Sequence, residues 1–155
     1  MLILVPLVIM LIFYALNLRI NSSASHVEVG IWRAFPPVSV DVGDIVAYDK
    51  DEFYSLCPDI YENRMKFRTP GVIKRVAATS GAWIELSGDL VMVDGHLYTE
   101  ARIYDDSWRK VEYPLQVPEG TVWLMANSKG AYDSRYHGPM PLSLIHAKLK
   151  PVLVW

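Results

Sequence analysis

Cysteine is nearly absent. Cys57 is the single one in 155 residues, so no internal disulfide can form. Many exported bacterial domains also lack disulfides, so the redox compartment stays open. No sign of charge dominates either. The formal net charge is -2, which gives none of the basic excess expected of a nucleic-acid binder. The histidines His26, His96, His137 and His146 are scattered without metal-ligand spacing, so no metal site and no cofactor are expected. No repeat period and no low-complexity tract is visible. The length suits one compact domain.

Charge is also missing from the N-terminus, and there the absence is informative. "MLILVPLVIMLIFYALNL", Met1 to Leu18, carries no charge, and only Asn17 is strongly polar. As one helix it would span about 27 Å, close to a bilayer's hydrocarbon core. Pro6 is tolerable in the first turns of a membrane helix. A cleaved signal peptide would need a basic n-region and a clear small-residue cleavage site, and neither stands here. A core helix this uniformly apolar does not suit so small a domain. The expectation is a membrane anchor over residues 1–18, in contact with the lipid bilayer, and a folded domain over 19–155. Arg19 and Arg33 follow the helix, and by the positive-inside rule alone they favour a cytoplasmic domain.

After the helix the pattern is that of strands. "VEVGIW" (27–32) alternates, and "AFPPVSV" reads as an extended loop because of its two prolines. "DIVAY" at 44–48 is a strand, followed by a short helix around "DEFYSLC". Further strands are expected at 71–77, 82–86, 90–93, 96–98 and 121–126. Asp94-Gly95 marks a hairpin turn. Residues 99–118 read as irregular. The tail "LIHAKLKPVLVW" reads as one or two closing strands broken by Pro151. The predicted architecture is mainly β, an antiparallel folded sheet or barrel behind one N-terminal transmembrane helix.

Three stretches carry candidate chemistry. In "GVIKRVAATSG" (71–81), strand alternation puts Val72, Lys74 and Val76 on one face and Ile73, Arg75 and Ala77 on the other. Lys74 is then either a solvated edge-strand cation or a buried base. A base near neutrality needs its pKa brought down by roughly 3 units, which apolar burial can supply. "NSSAS" (21–25) is either a polar linker or a turn presenting a serine nucleophile, with backbone N–H groups beside it. "AYDSRYHGPM" (131–140) reads as a turn knitted by an Asp133–Arg135 ion pair. "SWRK" at 107–110 matches Ser-x-x-Lys, but it sits in a polar loop before Pro114 instead of on a helix.

In order, these boxes resemble the type I signal peptidase family, and most closely its conjugative-transfer branch, the TraF-type peptidases that mature pilin precursors. The anchor is followed by "NSSASHVEVGIW", then "VGDIVAY", the lysine box "GVIKRVAATSGAWIEL", the hairpin "VMVDGHLY" and "DSRYHG". The resemblance implies that Ser25 is the nucleophile and Lys74 the general base. It implies that Ser23 supports the oxyanion beside the Ser25 N–H, and that Asp133 and Arg135 support the site. It further implies an exported precursor as partner, most of all a pilin, lying extended along a strand edge in a shallow apolar groove. The product is either hydrolysed or cyclised. By the same resemblance the domain is periplasmic and anchored in the bacterial inner membrane, against the lean of the two arginines.

Two departures bear on the site. The family places a proline shortly after the nucleophile and glycine four residues beyond it; here "SHVEVG" has no proline, and Gly30 is five residues beyond Ser25. Ser23 therefore stays as an alternative nucleophile. Where many members have a serine touching the lysine, this chain has Ala131. The rival class is a membrane-anchored accessory protein of a conjugation or secretion apparatus without catalysis. In that class, substitution of Ser25 or Lys74 would leave assembly intact.

Overall fold

The computed structural model describes residues 4–22, 27–56, 71–103, 111–126, 128 and 131–155. The strand-forming sequence dominates, as alternation predicts. The strands are β1 (Leu18–Asn21), β2 (Gly30–Phe35), β3 (Ile45–Asp49), β4 (Gly71–Thr79), β5 (Trp83–Ser87), β6 (Leu90–Val93), β7 (His96–Arg102), β8 (Leu115–Gln116), β9 (Thr121–Met125), β10 (Met140–Pro141) and β11 (Ile145–Val154). Helices are few and short: α1 (Leu4–Ala15), α2 (Lys50–Leu56) and α3 (Ser134–His137).

The strands form two antiparallel sheets, a large one in the order β1-β2-β11-β3-β4-β9-β10 and a small one in the order β7-β6-β5-β8. Partners face each other in register, so one face of the large sheet carries Val46, Tyr48, Val72, Val76 and Leu124. These pack with Tyr54, Tyr132, Tyr136, Met140, Leu144 and Ile145. The other face carries Trp32, Ile45 and Leu149 under Val27. β9 belongs to both cores: Val122 and Leu124 join the first, while Trp123 and Met125 turn to the small sheet with Ile84 and Val91. The β6–β7 turn has Asp94 and Gly95 at φ 49° and 75°, as the Asp-Gly signal predicts.

Several elements differ from the expectation. "LRIN" carries no strand signal in the sequence, yet it is β1, paired with Arg33–Gly30 of β2. Residues 27–29 precede β2 instead of opening it, and β2 runs on to Phe35. β7 continues to Arg102, where an exposed Arg102–Asp89 ion pair of 3.0 Å ties it to the β5–β6 turn. β11 is one strand through Pro151, with its register shifting between Pro151 and Leu153. Beyond Leu149 it pairs with β2 alone, so proline's missing N–H removes no ladder bond on the outer side.

The apolar helix is shorter than its sequence run. Asn17, at φ 55°, turns the chain into β1, and the Ala34 N–H donates to its carbonyl at 2.9 Å. Twelve residues of helix span about 18 Å. Among the described residues, no helix is long and apolar enough to cross a membrane. None of its side chains is buried by the domain.

Candidate active site

Lys74 lies mid-strand on the core face of β4, between Val72 and Val76 and opposite Val46 of β3. Its flanking residues are 3%, 0% and 0% exposed respectively, and Lys74 itself is 0% exposed. The alternation argument is thus realised, and the solvated-cation alternative is excluded. Burial penalises the ammonium and brings the Lys74 pKa down to about 8; Asp133 opposes the fall and Arg135 adds to it. Arg75 faces the other way, half-exposed, where it donates to the Gly43 carbonyl at 3.2 Å and meets the Glu28 carboxylate at 3.6 Å. Alternation ends at Val76: the register shifts between Val76 and Ala78, and Ala77 is buried against the small sheet.

The charges that act on Lys74 belong to a buried knot. Asp133 caps α3, accepting from the Arg135 N–H at 3.1 Å, and its other oxygen accepts from Ala126 N–H of the chain leaving β9 at 2.9 Å. The Arg135 guanidinium grips the same carboxylate through Nε and one terminal nitrogen, both at 2.7 Å. Its remaining donors reach the carbonyls of Arg102, Ser128 and Ala131. Burial opposes the Arg135 charge, but Asp133 outweighs it and holds the pKa above the usual value. The Ser134 hydroxyl accepts from Leu124 N–H at 2.8 Å. Asp133 and Arg135 therefore form the expected ion pair, inside one helical turn instead of a plain turn. The knot locks α3 onto β9, next to the strand that carries Lys74.

His137 ends that turn. Its ring lies 5.8 Å from Tyr132, which stacks on Tyr136 at 5.4 Å. Burial lowers its pKa to about 4, with Asp133 opposing and Lys74 contributing. It is neutral at pH 7. Sequence spacing gave no role to this residue or to the tyrosines Tyr48, Tyr54, Tyr132 and Tyr136 of the same core.

Ser23, Ser25 and His26 lie outside the described residues, as does Cys57. The two limbs of the serine loop are described. Asn21 and Gly30 pair directly, closing the loop as a β1–β2 hairpin. The Asn21 side-chain amide donates to the carbonyls of Val27 at 3.1 Å and Glu28 at 2.8 Å. Gly30 is required by close approach: a Cβ there would collide with the Leu153 carbonyl and come within 2.9 Å of Val154 Cα. The Glu28–Arg75 contact brings the returning limb beside Lys74's neighbour on β4.

A cavity of about 840 Å³ opens between the outgoing limb and the sheet. Ile20, Asn21, Ala34, Ala47, Ile73 and Ala147 are part of its lining. The alanines keep its floor low and apolar. At its rim His146 meets Glu52 of α2 at 2.8 Å. Among the described residues no cluster of His, Cys, Asp and Glu could hold a metal ion.

A family model described as "Signal peptidase, peptidase S26" matches residues 1–155. A probable conjugal transfer protein TraF from Sinorhizobium fredii is 33% identical over 158 residues, covering 88% of this chain and 77% of its own length. The conjugal transfer protein TraF of Agrobacterium fabrum is 32% identical over 88 residues, or 54% of this chain and 49% of that protein. Probable thylakoidal processing peptidase 2 of Arabidopsis thaliana is 26% identical over 120 residues; this chain covers 32% of its length. Among solved structures, a signal peptidase I from Enterococcus faecalis is similar, with TM-score 0.44 and 18% identity over 72% of this chain and 97% of that one. The chain belongs to the signal peptidase S26 family, as a TraF-type member.

Proposed function

We propose that this chain is a membrane-bound serine peptidase with a Ser25–Lys74 dyad, and that it matures an exported precursor, a conjugative pilin above all. One observation carries the reading: a fully buried lysine whose pKa is brought down to about 8 by burial. Such a residue costs the fold stability, and a pKa perturbed in this way marks a candidate functional group. At pH 7 about a tenth of Lys74 is neutral, and at pH 8 about half.

The chemistry then runs as follows. Neutral Lys74 Nζ takes the proton of Ser25 Oγ, and the oxygen attacks the scissile carbonyl. The Ser25 N–H, assisted by the Ser23 hydroxyl, holds the oxyanion. Lys74 returns the proton to the leaving amine, and an ester to Ser25 remains. Water releases it as an acid; attack by the substrate's own N-terminal amine releases it as a cyclic peptide with no water consumed. The substrate lies extended along a strand edge, adding to the sheet by β-augmentation. The relatives named TraF support a conjugative substrate. An apolar helix that buries no side chain against the domain supports contact with lipid. A domain on the periplasmic side of the inner membrane is where exported precursors emerge.

The test is the mass of a pilin precursor co-expressed with the protein. Wild type should shorten it; Ser25→Ala and Lys74→Ala should not. A product about 18 Da (one water) below the linear mass marks cyclisation. Shortening lost in Ser23→Ala and Lys74→Ala but kept in Ser25→Ala moves the nucleophile to Ser23. Equal masses from all variants favour the accessory role.

A further inference from the structure

Outside the family boxes lie most of β1, the second half of β2 and all of β11, and these strands share one open face. Ladder partners set Leu18, Arg33 and Lys150 in one row across it, and Ile20, Ile31 and Leu153 in the next. Phe35 flanks the first row, opposite Lys148. An open sheet face normally carries polar side chains. Here Ile20 is 64% exposed and Leu153 57%. Trp155, 69% exposed, is held at the same end by its N–H bond to the Val29 carbonyl at 3.1 Å.

Scattered apolar residues on a surface need no account, but a contiguous group rimmed by charge marks an interaction site. This rim is cationic. The Arg33 guanidinium lies 5.2 Å from the centre of the Phe35 ring and Lys150 Nζ lies 5.6 Å from it, so one ring gathers two like charges. Among the described residues no carboxylate pairs with either cation. Lys148 differs, being committed to Asp44 at 2.6 Å. Two exposed cations side by side repel each other unless an anion joins them.

Position selects the anion. The row of Leu18, Arg33 and Lys150 stands where α1 ends: the Asn17 carbonyl accepts from Ala34 N–H, between Arg33 and Phe35. α1 is apolar and buries no side chain in the domain. A helix of that kind in lipid places the headgroup layer where its apolar run stops, and the two cations stand there. Aliphatic side chains and a tryptophan beside basic residues suit the bilayer interface.

We propose that this face of β1, β2 and β11 docks on an anionic bilayer surface, with Arg33 and Lys150 on lipid phosphates and Ile20, Leu153 and Trp155 entering the interface. The inference rests on the reading of α1 as embedded in lipid. The same sheet face carries the base: Phe35, Lys148, Val46 and Lys74 form one row over four adjacent strands, about 14 Å across. Docking thus fixes how far Lys74 stands from the bilayer.

Full-length protein would be placed in vesicles of phosphatidylcholine alone or mixed with phosphatidylglycerol. On a Cys57→Ser background a nitroxide is attached at Leu153→Cys, or at Leu97→Cys on the small sheet, where the side chain is 52% exposed. The accessibility of each label to a water-soluble paramagnetic reagent is then read. With phosphatidylglycerol the label at 153 should be shielded and the label at 97 open. Arg33→Gln and Lys150→Gln should each lower the docked-to-free ratio about fivefold, and high salt should lower it too. Both side chains are exposed, so melting should not change. A label at 153 that stays open in both vesicles overturns the proposal. Shielding that is equal without phosphatidylglycerol, or undiminished in the double variant, overturns it as well. So does shielding at both positions, which marks adsorption without a defined face. Shielding at 153 in detergent without vesicles assigns the face to a second copy of the chain instead. The anchor is judged separately: failure to float with phosphatidylcholine vesicles sinks the reading of α1, while the label at 153 on mixed vesicles still decides the docking face.

Discussion

At the scale of single residues, Lys74 sets the terms. Its folded pKa of about 8 lies below its ordinary value of 10.5 because burial disfavours the charge. The folded state therefore binds fewer protons than the unfolded chain between those values, and stability rises with pH across that window. At pH 7 the lysine costs the fold about 3 kcal/mol. Lys74→Met keeps the volume and removes the charge, so it should abolish cleavage while raising the urea midpoint at pH 7. A lower midpoint would mean that the ammonium is held by interactions worth more than its burial costs. The same pKa sets the activity profile. Only the neutral amine accepts a proton, so kcat/KM should fall about tenfold per pH unit well below pH 8 and level off above it. An acid limb near pH 6 or below, from cleavage measured across pH 5 to 10, would contradict Lys74 as base. Asp133 and Arg135 act differently. Their pair is fully buried and supplied with partners, so Asp133→Asn should cost about 3–5 kcal/mol by leaving a buried guanidinium uncompensated, read as a drop in Tm.

At the scale of elements, the β1–β2 hairpin is where strand chemistry and site geometry meet. Gly30 sits where β11 crosses closest, at the register shift after Pro151. Gly30→Ala must push β11 away or move the loop, so a loss of about 1–3 kcal/mol is expected with a fall in kcat. Unchanged melting and cleavage would show that β11's end yields freely. This hairpin was also the least legible part of the sequence. Period-2 alternation displayed the Lys74 face because Val72, Val76 and the lysine lie in one continuous strand. Asp94-Gly95 announced its own turn. "LRIN" has no such signature: it is a strand only because β2 pairs with it, and that contact is tertiary. Nor could spacing reveal the Asn21 side-chain bonds to the Val27 and Glu28 carbonyls, which form across the strand pair where Gly30 stands opposite. Asp133 before Ser134 and Arg135 is a readable helix cap, but the four residues it caps are too few for a periodic pattern. The apolar run from Met1 to Leu18 overstated α1, because hydropathy cannot register that Asn17 adopts a left-handed conformation and starts β1.

At the scale of the whole molecule, the buried ionisable groups give the fold a distinctive response to pH. His137 has a folded pKa of about 4, below its ordinary 6.5, because burial opposes the imidazolium. The folded state again binds fewer protons than the unfolded one, so stability is lost as pH falls from about 6.5 to about 4. Asp44 adds to the loss at lower pH. Burial raises its pKa, but its hydrogen bond to Lys148, the backbone N–H of Asp41 and the nearby charges outweigh that and hold it below the ordinary value. Above neutrality Lys74 contributes a second rise, between about 8 and 10.5. Tyr48 works in the opposite sense: burial, with Asp133 nearby, raises its pKa well above 10, so its stabilisation fades as the unfolded phenol ionises beyond pH 10. Urea midpoints across pH 4 to 11 should therefore climb in two steps, pause between about 6.5 and 8, and turn down above about 10. Each step has an owner. His137→Phe should remove the lower step and leave the upper one, and Lys74→Met should do the reverse. If one substitution erased both steps, the two groups would titrate as a single coupled unit. Lys74 would then owe its depressed pKa to His137 and its surroundings together, and the base would be tuned by α3 as much as by β4.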